Sequence, residues 1–167
     1  MFSWRAAFKI FKKGVKIVMS IAILASVKKG YLDKIKSEEK IIEVRKNFPR
    51  VELPCPILFY ETLTSGGCGK IVAFGNVTNR VELTPEQLKF METRKSDSLE
   101  VLGGYIYDFM NESCLSREEL LEYATRNGEY TTLYGWQLEE IHHCSISLEA
   151  LGITRAPQSW CKIEINL

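Results

Sequence analysis

Glu43 and Arg45 stand two positions apart in Ile41-Ile42-Glu43-Val44-Arg45, so a strand there puts both charges on one face and Ile42 with Val44 on the other. A carboxylate in that place acts as a general base only with a well-placed water, and the sequence offers no evident histidine or serine partner for it. The plainer outcome is a solvent-exposed ion pair that contributes little. His142, His143 and Cys144 are metal-ligating types, but consecutive residues diverge on a strand or a helix and no further ligands stand at suitable spacing. No metal and no cofactor are expected. Five cysteines, Cys55, Cys68, Cys114, Cys144 and Cys161, form an odd set without a C-x-x-C pair, which fits core packing and reduced cytoplasmic thiols better than a disulfide framework.

A chain of 167 residues with 46% hydrophobic content suffices for one core and is short for two ordinary domains. The formal net charge of +1 argues against gripping nucleic acid by bulk charge. That average hides an asymmetry, because residues 1–50 carry 13 basic and 4 acidic side chains while the remainder carries 9 and 17. Such a split either leaves one face positive enough to attract phosphate or is neutralised across the fold.

Residues 1–18 form a basic amphipathic segment, with Trp4, Ala7, Phe8, Phe11, Val15 and Val18 at helical spacing and five lysines or arginines mostly on the other side. Two readings fit it. One is an upstream extension outside the working domain, since Lys12-Lys13-Gly14-Val15 is what a purine-rich ribosome-binding stretch would spell in translation and Met19 follows. The other is a helix lying on a membrane surface or an anionic partner. The apolar run Ile17 to Val27 is too short to span a bilayer, and it leads into the first strand rather than ending as a signal peptide does.

From residue 19 the pattern is mixed α+β. Ile21 to Val27 suits a buried strand, and Lys28 to Lys36 carries Tyr31, Leu32 and Ile35 at helical spacing. Residues 41–45, Pro54 to Tyr60 and Lys70 to Val77 read as strands, the last two separated by the glycine-rich Ser65-Gly66-Gly67-Cys68-Gly69. A helical insertion over about residues 84–127 follows, acidic and expected to be exposed. It comprises Pro85 to Arg94 behind an N-cap at Thr84, helix within Leu99 to Asn111, and Arg117 to Arg126 with Ser116 and Glu119 as a capping box. Trp136 to Ile146 and Trp160 to Ile165 return to strand composition.

The opening blocks, Ile23 to Val27, Tyr31 to Ile35 and Lys40-Ile41-Ile42-Glu43-Val44-Arg45-Lys46, resemble the ASCH-domain family, whose signature reads glycine-x-lysine-x-x-glutamate-x-arginine. The tail segments Leu133-Tyr134-Gly135-Trp136 and Thr154 to Cys161 resemble a branch of that family common in prophages. Two positions depart from the pattern: Glu38 replaces the glycine, and Ile41 stands where a threonine is frequent.

The resemblance implies a PUA-like mixed β-barrel over residues 19–167, with flanking helices and a cleft between the barrel and its first helix. It also implies binding of RNA or of a nucleotide or nucleoside. In such a cleft Lys40 and Arg45, with Lys46 beside them, would meet phosphate, Glu43 would accept a proton from a base edge, and Tyr60 or Trp136 would stack on a ring. For Trp136 and Trp160, packing in a core is the competing role. Arg155 and Gln158 flank Pro157 in a loop free to contact a partner. Two alternatives belong to other classes. One branch of the family is similar to amidohydrolases of acylated cytidine that use a lysine, a threonine three residues later and a glutamate; Lys40 matches that lysine, and Glu43 occupies the threonine's place. The other is a phage protein that binds a host or defence protein through its acidic insertion. Removing residues 1–18 is expected to leave a domain that unfolds cooperatively in a thermal melt, whereas aggregation would assign that helix to the core.

Overall fold

The computed structural model describes residues 19–166; the amphipathic segment lies outside them. Six strands form one sheet in the order β2-β7-β4-β3-β1-β8. They are β1 (Met19–Val27), β2 (Ile42–Arg45), β3 (Cys55–Glu61), β4 (Ile71–Leu83), β7 (Leu133–Ile146) and β8 (Trp160–Asn166). Strands β1 and β3 pair in parallel and every other neighbour is antiparallel. The sheet curls until its two ends face each other, for Trp136 on β7 meets Trp160 on β8 edge to face at 5.8 Å. Inside this incomplete barrel lie Ile23, Ala25, Ile57, Phe59, Val77 and Trp136. Helix α1 (Lys29–Lys36) completes that core with Leu32 and Ile35, both fully buried.

The alternation expected for residues 42–45 holds, with Ile42 and Val44 turned to one cluster and Glu43 and Arg45 to the other side, but all four are buried. The reason lies in the insertion, which is not an exposed appendage. Its helices α2 (Pro85–Glu92), α3 (Leu99–Leu102), α4 (Gly104–Ser113) and α5 (Arg117–Ala124) bury Leu88, Met91, Ile106, Phe109 and Leu120 against Ile42, Val44, Leu83 and Leu133. This second core covers the outer face of β2 and β7. Gly135 makes the approach possible, since a Cβ there would stand 2.7 Å from Ile42 Cγ2 and 2.9 Å from Phe109 Cε2. Both expected caps form: Thr84 with Gln87 and Ser116 with Glu119 exchange reciprocal hydrogen bonds.

Other boundaries differ from the sequence reading. Helix α5 stops at Ala124 rather than Arg126, and β5 (Thr125–Arg126) turns back on β6 (Glu129–Tyr130). Asn127 and Gly128 supply the two positive φ angles, 52° and 80°, that such a turn needs. Strand β4 runs on to Leu83 instead of ending at Val77, because its second half pairs with the start of β7 while Asn79 and Arg80 face solvent. Among the described residues no helix is long and apolar enough to cross a membrane.

Helix α1 ends in a left-handed turn. Glu38 takes φ 60°, and the amides of Glu39 and Lys40 both return to the Lys34 carbonyl at 3.0 Å. That conformation favours glycine, and Glu38 is the position where the resembled signature has one. Glu38→Gly is therefore expected to raise stability by about 1 kcal/mol, the left-handed cost of about 1–2 kcal/mol less glycine's greater freedom when unfolded. A urea denaturation midpoint checks this; an unchanged or lower midpoint would mean the turn is not strained.

Candidate functional site

The segment after α1 delivers Lys40 and β2 delivers Glu43 and Arg45 to the floor of one cleft of about 810 Å³. The end of β1 and Tyr31 of α1 form one wall, Thr62 and Thr64 after β3 another, and Glu119, Glu122 and Tyr123 of α5 a third. The insertion therefore builds part of the site.

All three floor charges are buried, Lys40 at 2%, Glu43 at 6% and Arg45 at 9% exposure. Lys40 Nζ donates to the Ser113 carbonyl at 2.6 Å, at the C-terminal end of α4, and lies 3.6 Å from Glu43 Oε2. Its charge there also suits the helix dipole. Glu43 Oε1 lies 2.8 Å from Arg45 Nη2. The same Nη2 donates to the Ser26 carbonyl at 2.9 Å, and Nη1 donates to Ser159 Oγ at 3.0 Å. Arg45 thus leaves one edge of the sheet and grips residues at the other. Its Nε and the indole Nε1 of Trp136 are buried without a partner among the described residues.

Burial pushes the Lys40 ammonium below its usual range, with Glu43 opposing the shift. Tyr31 is pushed up, first by burial and then by Glu119, whose Oε1 accepts its hydroxyl proton at 3.1 Å. The Ser116 amide holds Glu119 below the usual carboxylate range. Tyr123 is raised by burial, and Lys46 Nζ stands 5.1 Å from its ring centre. A buried carboxylate between two cations, beside a partly exposed phenol ring, is suited to accepting N–H donors from a flat polar ligand.

Of the residues singled out in the sequence, Lys40, Glu43, Arg45, Lys46 and Gln158 line this cleft. Three do not. Tyr60 points from the opposite face of β3 into a cluster with Leu24 and Ile71. Trp136 has no exposed surface and packs between Phe48 and Trp160 inside the barrel, so it offers no face for stacking. Arg155 is exposed in the loop before β8 and lies outside the lining. The aromatic walls are instead Tyr31 and Tyr123. Tyr31 stood in the sequence as a helix-face residue, but only the docking of α5, 88 positions away, brings Glu119 to it.

His142, His143 and Cys144 diverge along β7: His142 lies against Phe74, His143 Nε2 is 3.3 Å from the Lys36 carbonyl, and Cys144 Sγ donates to the Ile71 carbonyl. Among the described residues no group of three His, Cys, Asp or Glu side chains is placed to hold a metal.

No family model matches the sequence, and no curated protein matches it. The fold, however, is that of the ASCH domain. The crystal structure of ASCH from Zymomonas mobilis superposes with a TM-score of 0.61 over 85% of this chain and 87% of that one, at 17% identity. Two variants of the same Zymomonas mobilis protein also match. A tyrosine-to-phenylalanine variant gives 0.60 at 17% identity over 85% and 89% of the chains. A serine-to-alanine variant gives 0.60 at 18% over 85% and 87%.

Arg45→Met should cost about 3–5 kcal/mol, because it leaves Glu43 buried with half its compensation and unlinks the sheet's ends. Chemical denaturation measures this; a loss under about 1 kcal/mol would reduce Arg45 to an ordinary surface-type pair.

Proposed function

We propose that the chain is a member of the ASCH family and that its cleft binds a nucleotide-like ligand or an unpaired base of RNA. The observation that carries this reading is the buried Glu43 carboxylate, held between Lys40 and Arg45 at the floor of a cleft with tyrosines on two walls. A carboxylate fixed by two cations needs no reorganisation to accept N–H groups from a base edge, and a tyrosine ring stacks on any base. The volume of about 810 Å³ lies in the range of small-ligand pockets. The reading is also supported by the shared fold with the Zymomonas mobilis ASCH structure. Five free cysteines fit a reducing, cytoplasmic setting.

One observation favours a second reading, hydrolysis of a modified nucleoside. Lys40 is buried, its charged form disfavoured, 3.6 Å from a carboxylate, which is an arrangement that tunes groups for proton transfer.

The test is a thermal-shift panel of nucleosides, nucleotides and short single-stranded RNAs, followed by titration of the best ligand. Binding should raise the melting temperature, and Glu43→Gln should weaken it by about ten- to a hundredfold, the worth of a charge-assisted hydrogen bond. A ligand bound equally well by Glu43→Gln would remove the carboxylate from recognition. Release of an acyl group by the wild type, lost in the same variant, would put the hydrolytic reading first.

A further inference from the structure

Resting on the base-binding reading above, we infer that helix α5 makes the cleft select an uncharged nucleoside over its phosphorylated form, with Glu122 as the residue that sets the preference.

The floor cations are already spent on the protein. Lys40 Nζ is held by the Ser113 carbonyl and Glu43 Oε2. Both terminal nitrogens of Arg45 are taken by Ser159, the Ser26 carbonyl and Glu43, and its remaining Nε is closed off from solvent. A phosphate entering the cleft therefore displaces existing hydrogen bonds of buried groups, which cost more to break than exposed ones.

The wall supplied by α5 adds two carboxylates. Glu119 is fixed by Tyr31 and by the Ser116 amide. Glu122, three residues further along α5, is exposed on the same cleft wall, and its carboxylate makes no hydrogen bond or ion pair among the described residues. An unneutralised carboxylate facing a confined space raises the cost of bringing in a second anion. Opposing it are Lys28 and Lys46. Lys28 is exposed at the rim, and Lys46 is drawn over the Tyr123 ring, 5.1 Å from its centre. Exposed Lys28 attracts phosphate weakly and is screened by salt, and half-buried Lys46 is already engaged by the Tyr123 ring. The neutral part of a nucleoside meets no such penalty, since Glu43 accepts its N–H groups and Tyr31 and Tyr123 offer it ring faces.

Titration calorimetry of the full chain at low ionic strength, with the four ribonucleosides and their 5′-monophosphates, tests this. The best nucleoside should bind about tenfold or more tightly than its own monophosphate. Glu122→Gln should shrink that ratio about threefold and Glu122→Lys about tenfold, while Glu149→Gln, outside the cleft, should leave it unchanged. Raising the salt should shrink it as well. A monophosphate that binds as tightly as the nucleoside, or a ratio indifferent to both Glu122 variants, overturns the inference and leaves base binding standing. Failure of every nucleoside and nucleotide to bind overturns the base-binding reading and this inference together.

Discussion

Arg45 is the interaction on which the rest of the structure depends. It projects from β2, at one end of the sheet order, and its guanidinium reaches Ser26 on β1 and Ser159 just before β8, at the other end. Among the described residues no backbone ladder joins those two ends, so a planar side chain with several donors takes the place of a strand pairing. A lysine, with one ammonium on a flexible stem, does not span such a gap in the same way. The same guanidinium orients Glu43, and Glu43 in turn stands beside Lys40. Closure of the barrel and construction of the cleft floor are thus one event.

The second core attaches to this line of charges. Lys40 caps the end of α4 through the Ser113 carbonyl, and the neighbouring Ile41 amide donates to Glu112 at 2.9 Å. Two adjacent residues of the signature segment therefore anchor the insertion, and Tyr31 does so again from α1 through Glu119. The walls of the cleft come from both halves of the molecule. Their relative placement rests on buried polar bonds, which are directional, as well as on apolar packing, which is not.

Much of this was legible in the sequence because it rests on local periodicity. The alternation of Ile42 and Val44 with Glu43 and Arg45 told which side chains share a face, and the threonine and serine caps told where α2 and α5 begin. Alternation does not tell what will cover each face, and so Glu43 and Arg45 read equally well as an exposed pair. The burial of Tyr60 and Trp136 was hidden for the same reason: strand period places them relative to their neighbours, while the curl of the sheet decides which face becomes the interior. The acidic composition of the insertion described its outer surface and concealed Ile106, Phe109 and Leu120 on its inner one. The Asn127-Gly128 turn was a readable signal that the helical pattern before it masked.

The 114 positions separating Arg45 from Ser159 also carry a consequence for how the chain is made. On the ribosome β2 emerges long before the residues that receive its guanidinium, whereas the insertion's contacts with β2 can form as soon as α4 and α5 are out. The apolar contacts of α4 with one flank of β2 thus need less of the chain than the closure on its other flank, which waits for Ser159. Long-range closures of this kind are slow, and unpaired strand edges are sticky while they last. Charge on the waiting face, in place of the apolar residues that fill most of the barrel, keeps that half-finished edge hydrated until its partner arrives.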